Sequence, residues 1–173
     1  MNDTWEWDGT SWSAHPISSD GPLAFDPVRR RVLSVSTGGD SEWDGTAWTV
    51  VAPAAGPMLR REHRLATDEI RGRVVLFGGQ QFPSGPVSET WEWDGSAWTR
   101  RSPPVSPPAR SGHAMAFDGT RAVTILFGGM EARGAYLSDT WEWNGTDWTR
   151  RFPFSSPTPR YGHALRTIPS GSG

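Results

Sequence analysis

The chain is a succession of short runs in which apolar and polar residues exchange places at nearly every position, separated by Gly- and Pro-rich breaks. No stretch of useful length keeps a 3.6-residue period, so the pattern predicts strands throughout and no helix. Residues 113–118 alternate large and small side chains, as suits an inner strand pressed between neighbours of unequal bulk. A turn at Gly119-Thr120 leads to a second strand, from about 122 to 127, whose unbroken apolar character implies burial on both faces. Gly128-Gly129 ends it, supplying permissive backbone where the chain must turn sharply. In a third strand Glu142 separates Trp141 from Trp143, which puts both indoles on one face. Glu142, like Glu6 and Glu92 at the same place in other copies, then faces away from the indoles, towards solvent on an outer strand. Asn144-Gly145 suits a hairpin turn before a fourth strand that opens on Trp148. A two-residue type I′ turn sets Trp141 opposite Trp148, whereas a four-residue loop sets Trp143 there. Either register makes a cross-strand Trp pair, worth about 0.5–1.5 kcal/mol beyond the area it buries.

This four-strand pattern repeats. Asp139-Thr140-Trp141-Glu142-Trp143-Asn144-Gly145 matches Glu89-Thr90-Trp91-Glu92-Trp93-Asp94-Gly95 and Asp3-Thr4-Trp5-Glu6-Trp7-Asp8-Gly9, with a shortened copy at Ser41-Glu42-Trp43-Asp44-Gly45. The Trp pairs recur at 7/12, 43/48, 93/98 and 143/148, in steps of 36, 50 and 50 residues. Arg60, Arg110 and Arg160 each stand three residues before His63, His113 and His163. Glycine pairs close the apolar runs at Gly38-Gly39, Gly78-Gly79 and Gly128-Gly129. The short step reflects one deletion, because Gly39 lies 4 residues from Trp43 whereas Gly79 and Gly129 lie 14 from Trp93 and Trp143.

Four strands per roughly 50 residues, repeated, is the pattern of a β-propeller blade. The double glycine after an apolar strand, the spaced aromatic pair and the Arg ahead of the next inner strand resemble the kelch repeat, over about residues 3–167. The WD-repeat family has a shorter period and does not explain the Phe-Gly-Gly triplets. The resemblance implies an all-β, kelch-type β-propeller, partial or small. Its three full four-stranded blades fall at 20–52, 57–102 and 107–152. A split closing blade takes its third and fourth strands from 3–15 and its first from 160–167, and a Gly/Ser tail follows at 169–173. The strand inventory leaves three arrangements open: a piece of a longer propeller, a four-bladed ring with a gap, or two copies completing a larger ring. Unpaired strand edges make an isolated open arc the least comfortable of them.

Composition narrows the chemistry. The 173 residues include 11 Trp, 20 Gly and 15 Pro but no Cys, which removes disulfides, a thiolate nucleophile and Cys-ligated metals. All 17 basic residues are Arg, so neither a P-loop nor a Schiff-base lysine is available. A net charge of -2 with interspersed signs argues against a nucleic-acid partner and against a polybasic membrane anchor. No apolar run approaches a spanning length and the start is no signal peptide. Compartment stays open between cytoplasmic and, for an N-terminally truncated chain, secreted.

Each chemically capable side chain is either repeated once per blade or isolated. The three His and three Arg of the repeat read as structural marks rather than ligands, so no catalytic, cofactor or metal site is expected. Galactose oxidase carries a kelch-type propeller, but its copper chemistry requires a Tyr-Cys crosslink that a chain without Cys cannot form. What differs between blades is the loop after the second strand, long at 80–88 and 130–138 and nearly absent in the first blade. Loops on a rigid scaffold are where specificity is usually written. Phe82, Met130, Arg133, Tyr136 and Leu137 are therefore the expected partner contacts, with packing of Phe82 and Leu137 onto the blade as the alternative. A protein partner is expected. The alternative is a secreted carbohydrate-binding or sugar-modifying propeller with a glycan stacked on an indole, and self-association that completes the ring is a further reading.

Overall fold

Antiparallel ladders form at every strand the alternation and the apolar runs predict between 3 and 152, and fail only at the last one, 160–167. The computed structural model describes residues 3–16, 21–51, 53 and 55–167, and among these the chain is all-β, with sixteen strands and no helix. The tail at 169–173 lies outside the described residues. A two-stranded hairpin, β1 (Asp3–Trp7) and β2 (Trp12–Pro16), comes first. Three four-stranded sheets follow, each a simple meander. The first is β3 (Leu23–Asp26), β4 (Arg31–Ser36), β5 (Gly39–Trp43) and β6 (Trp48–Val51). In the second, β7 (Arg64–Asp68) and β8 (Arg73–Phe77) precede a small loop hairpin, β9 (Gln80–Gln81) with β10 (Gly85–Pro86), before β11 (Thr90–Trp93) and β12 (Trp98–Arg101). The third is β13 (Ala114–Asp118), β14 (Val123–Phe127), β15 (Thr140–Trp143) and β16 (Trp148–Arg151).

The Trp hairpins use the four-residue loop. Trp93 pairs with Trp98 and Trp143 with Trp148, with ring centroids 5.5 Å apart in both. The reason is local: the Asp94 side chain accepts the amides of Ser96 and Ala97 at 2.8 Å, and Asn144 does the same for Thr146 and Asp147. Only the glycine of the turn has positive φ, whereas a type I′ turn needs two such residues.

The sheets stack face to face, and the second strand of the middle sheet is buried on both sides as its apolar run requires. Val74 and Leu76 join a core with Leu33, Val35, Trp93 and Trp98, while Val75 and Phe77 join a second core with Leu126, Trp143 and Trp148. Each stack is also stitched by polar contacts from a Trp hairpin to the sheet before it. The Trp98 indole donates to Asp40 at 2.8 Å, Trp143 to Glu92 at 2.9 Å and Trp148 to Thr90 at 2.9 Å.

Two expectations change. Residues 160–167, read as a first strand, carry no ladder. They lie alongside β13, where Thr167 donates to the Phe117 carbonyl at 2.7 Å, but no second strand stands beside them among the described residues to pair with. Glu92 and Glu142 do not face solvent: they are 1% and 4% exposed, Glu92 because Trp143 of the next sheet packs on it and Glu142 because Arg121 and Arg151 of its own sheet lie over it.

The glycine pairs mark where neighbouring units touch. Gly128 and Gly129 have φ of 65° and 101°, and a Cβ on Gly129 would stand 2.9 Å from the Ser111 carbonyl oxygen and from the His113 Cβ. Gly129→Val should therefore lower the unfolding free energy by more than about 1 kcal/mol through left-handed strain alone, with the clash adding to it. Urea denaturation checks this, and an unchanged midpoint would remove the turn from the account.

Candidate functional site

At one end of the sheets lie the loops after the second strands and the segments leading into the next unit, and here the repeated Arg and His converge. Arg110 is wholly buried. Its guanidinium donates to the Gly128 carbonyl at 3.0 Å and grips Asp139 with two nitrogens, at 2.6 and 2.8 Å. Arg60 donates from one terminal nitrogen to the Gly78 carbonyl at 3.1 Å and from the other to Glu89 at 2.6 Å. The chain also crosses between units at these points, because the Gly79 amide donates to the Arg110 carbonyl at 2.9 Å and the Gly129 amide to that of Arg160 at 2.8 Å. Such forked, buried pairing is what guanidinium geometry suits. Arg160 is exposed and bonds Thr158 within its own segment.

The histidines are wedged behind these glycines. His113 is fully buried with its ring edge-on to Phe77 at 5.6 Å, and His163 stands in the same relation to Phe127 at 5.6 Å. Burial, then the positive charge of Arg110, drives the His113 pKa well below its ordinary value. Burial, then Arg60 and Arg64, lowers His63 to about 4. Both are neutral at pH 7. No cluster of three or more His, Asp or Glu side chains able to hold a metal ion occurs among the described residues.

A further polar constellation escaped the sequence reading. Asp68 binds Arg71 at 2.7 Å, Arg71 reaches Glu92 at 2.7 Å, and Glu92 also takes Arg101 at 2.9 Å and the Trp143 indole. Asp26-Arg29-Glu42 and Asp118-Arg121-Glu142-Arg151 repeat it in the other sheets. Burial opposes ionisation of Glu92, but the indole N–H and the two guanidinium groups outweigh it and hold its pKa below the usual carboxylate range. The spacing Asp-x-x-Arg at 26/29, 68/71 and 118/121 was the available signal.

The predicted contact residues are spread over two loops. Phe82 is 95% exposed at the tip of the β9–β10 hairpin and does not pack down, and Arg133 and Tyr136 are exposed on the second loop. Met130 and Leu137 are half-buried at its base, Met130 bridging Ser111 and Tyr136, and the Leu137 amide donating to the Gly129 carbonyl at 2.8 Å. The structure thus groups Met130, Arg133, Tyr136 and Leu137 and leaves Phe82 on the neighbouring loop. Tyr136 also stacks on Tyr161, at 6.1 Å and 16° between planes, and the Tyr161 hydroxyl donates to Glu62. That bond pushes the Tyr161 pKa up to about 12. Tyr161 replaces Arg61 and Ser111 of the other copies, so its departure from the repeat was the clue.

A shallow groove of about 650 Å³ runs along the first strands of the sheets, with Phe25, Thr67, Met115, Phe117 and Leu165 on its walls. Its titratable lining residues are Glu69, Asp118 and Arg166, and Asp118 is paired with Arg121 at 2.8 Å. A scan against protein-family models and a search of curated proteins both returned no match.

The buried histidines make stability depend on pH. His63 binds its proton less readily in the fold than in the unfolded chain, so its contribution is intact above pH 6.5 and is lost as pH falls towards about 4. The loss from His63 alone is about 3 kcal/mol. Urea denaturation at pH 7 and pH 5 should show the decline, and His63→Gln should flatten it; a variant that kept the whole dependence would assign the effect elsewhere.

Proposed function

We propose that the chain is a segment of a kelch-type β-propeller that serves as a non-catalytic scaffold and binds protein partners through the loops after the second strands. The observation that carries this reading is how the reactive side chains are divided. Arg60, Arg110, His113, Glu92 and Glu142 are consumed in contacts within and between sheets, where a substrate would have to displace them. The variable positions instead stand out on anchored loops: Phe82, Arg133 and Tyr136 project from hairpins whose bases are tied by Val87 and Leu137 to the glycine pairs. An exposed aromatic ring and a guanidinium on a rigid base fit the usual anchors of a protein interface. Anchoring at the base also reduces the ordering cost that a floppy loop pays on binding.

A glycan is the second reading, favoured by the exposed indoles of Trp5, Trp7 and Trp12. The two readings use different residues and are separable. A Phe82→Ala/Arg133→Ala/Tyr136→Ala variant should unfold at the wild-type temperature yet lose a specific protein captured and identified by crosslinking. Glycan-array binding that survives this variant and disappears in Trp7→Ala/Trp12→Ala would replace the protein-scaffold reading.

A further inference from the structure

The contact that joins consecutive sheets has two repeated parts and a third made at one of the two junctions. The Arg of the turn between first and second strands lies over the hairpin glycine of the next sheet: a Cβ on Gly95 would meet Arg29, and one on Gly145 would meet Arg71. Arg29 also lies over the Trp93 ring, at 5.6 Å. The residue two before the Glu of the third strand accepts an indole from the next hairpin at both junctions, Trp148 to Thr90 and Trp98 to Asp40. Between the second and third sheets the Glu accepts the other, Trp143 to Glu92, whereas the Trp93 indole at the first junction has no hydrogen-bond partner.

Both halves of this contact also exist unmatched, at opposite ends of the stack. The third sheet carries the receiving half in Arg121, Glu142 and Thr140. Thr140 is half-buried where Thr90 is 1% exposed, Ile125 is half-buried where Val75 is fully covered, and the Arg121 side chain is 50% exposed against 29% for Arg71. The β1–β2 hairpin carries the inserting half. Trp7 and Trp12 are preset with centroids 5.2 Å apart, like the pairs already docked, yet are 50% and 61% exposed, and nothing stands within 4 Å of a Cβ on Gly9.

We propose that two copies of this chain associate head to tail, the β1–β2 hairpin of one docking on the β15 face of the other. The Trp7 indole donates to Glu142, the Trp12 indole donates to Thr140, and Arg121 covers Gly9, in the pattern that Trp143, Trp148 and Arg71 follow inside the chain. The fit is polar as well as apolar: Glu142 already holds Arg121 and Arg151 and lacks the indole that Glu92 receives. Because the two surfaces differ, the contact is heterologous, and repetition closes into a ring or continues as a filament. It uses none of the loop residues proposed above to bind other proteins.

Sedimentation velocity over a wide concentration range tests this. The wild-type chain should form species heavier than the 19.0 kDa monomer in a concentration-dependent way. Trp7→Ala/Trp12→Ala should be monomeric with an unchanged circular dichroism spectrum, and so should Thr140→Arg, which blocks the other face. Mixing the two variants should restore a heterodimer, because each retains the half that the other has lost. A wild-type chain that stays monomeric, association that survives loss of the two indoles, or a mixture that stays monomeric would each overturn the proposal. Monomers whose Trp7 and Trp12 are nonetheless shielded, read by acrylamide quenching, would overturn it in favour of closure within one chain.

Discussion

Everything else in this protein hangs on an indole N–H from one sheet finding an acceptor on the third strand of the sheet before it. A Trp buried without a partner for its N–H loses part of what its burial gains, a cost that the Trp93 indole bears and that Trp98, Trp143 and Trp148 avoid. At Glu92 that acceptor is an ionised carboxylate in a dry setting, which would be costly alone. Arg71 and Arg101 neutralise it, and Asp68 in turn fixes Arg71. The same residues therefore set the spacing between sheets, hold their relative angle and keep a charge out of water. Aliphatic packing of Leu76, Val75 and Leu126 supplies more of the free energy, but it has little directional content.

The sequence carries the periodic part of this design openly and the relational part hardly at all. Strand type, the Trp pairing and the turning points at Gly78-Gly79 and Gly128-Gly129 are legible because they are local and repeated. Alternation around Glu142 correctly turns the carboxylate away from Trp141 and Trp143, yet it cannot say what covers that second face. The expectation of solvent failed there because Arg121 and Arg151 of the same sheet lie over the carboxylate, while at Glu92 the neighbouring sheet adds to the cover. The Arg71–Glu92 pair spans 21 residues, and the bond from Trp143 to Glu92 spans 51, so neither falls within a window in which spacing alone suggests contact. Residues 160–167 have the composition of a first strand, but a strand needs a ladder partner. The Tyr136–Tyr161–Glu62 array was hidden for the opposite reason: each member breaks the repeat, and the break itself was the signal.

A division of labour follows. Residues that recur once per unit are bound to one another and set the geometry, which leaves variation to the loops at 80–88 and 130–138 and to the two ends of the stack. Loop anchoring at Val87 and Leu137 passes the rigidity of the glycine pairs outward to Phe82 and Tyr136, so that exposed side chains are presented from a fixed base. Neutral, buried His63 and His113 pack in the same region and tie its stability to pH, His63 as pH falls from 6.5 towards about 4.

Sheets in this protein are held in register by indole-to-acceptor bonds and not by apolar contact alone. A double-mutant cycle of Trp143→Phe, which keeps a ring and removes the N–H, with Glu92→Gln measures this most directly. The two positions should couple by about 1 kcal/mol or more in urea unfolding, as befits a hydrogen bond to a buried charge. Additive effects, with no coupling between Trp143 and Glu92, would contradict it.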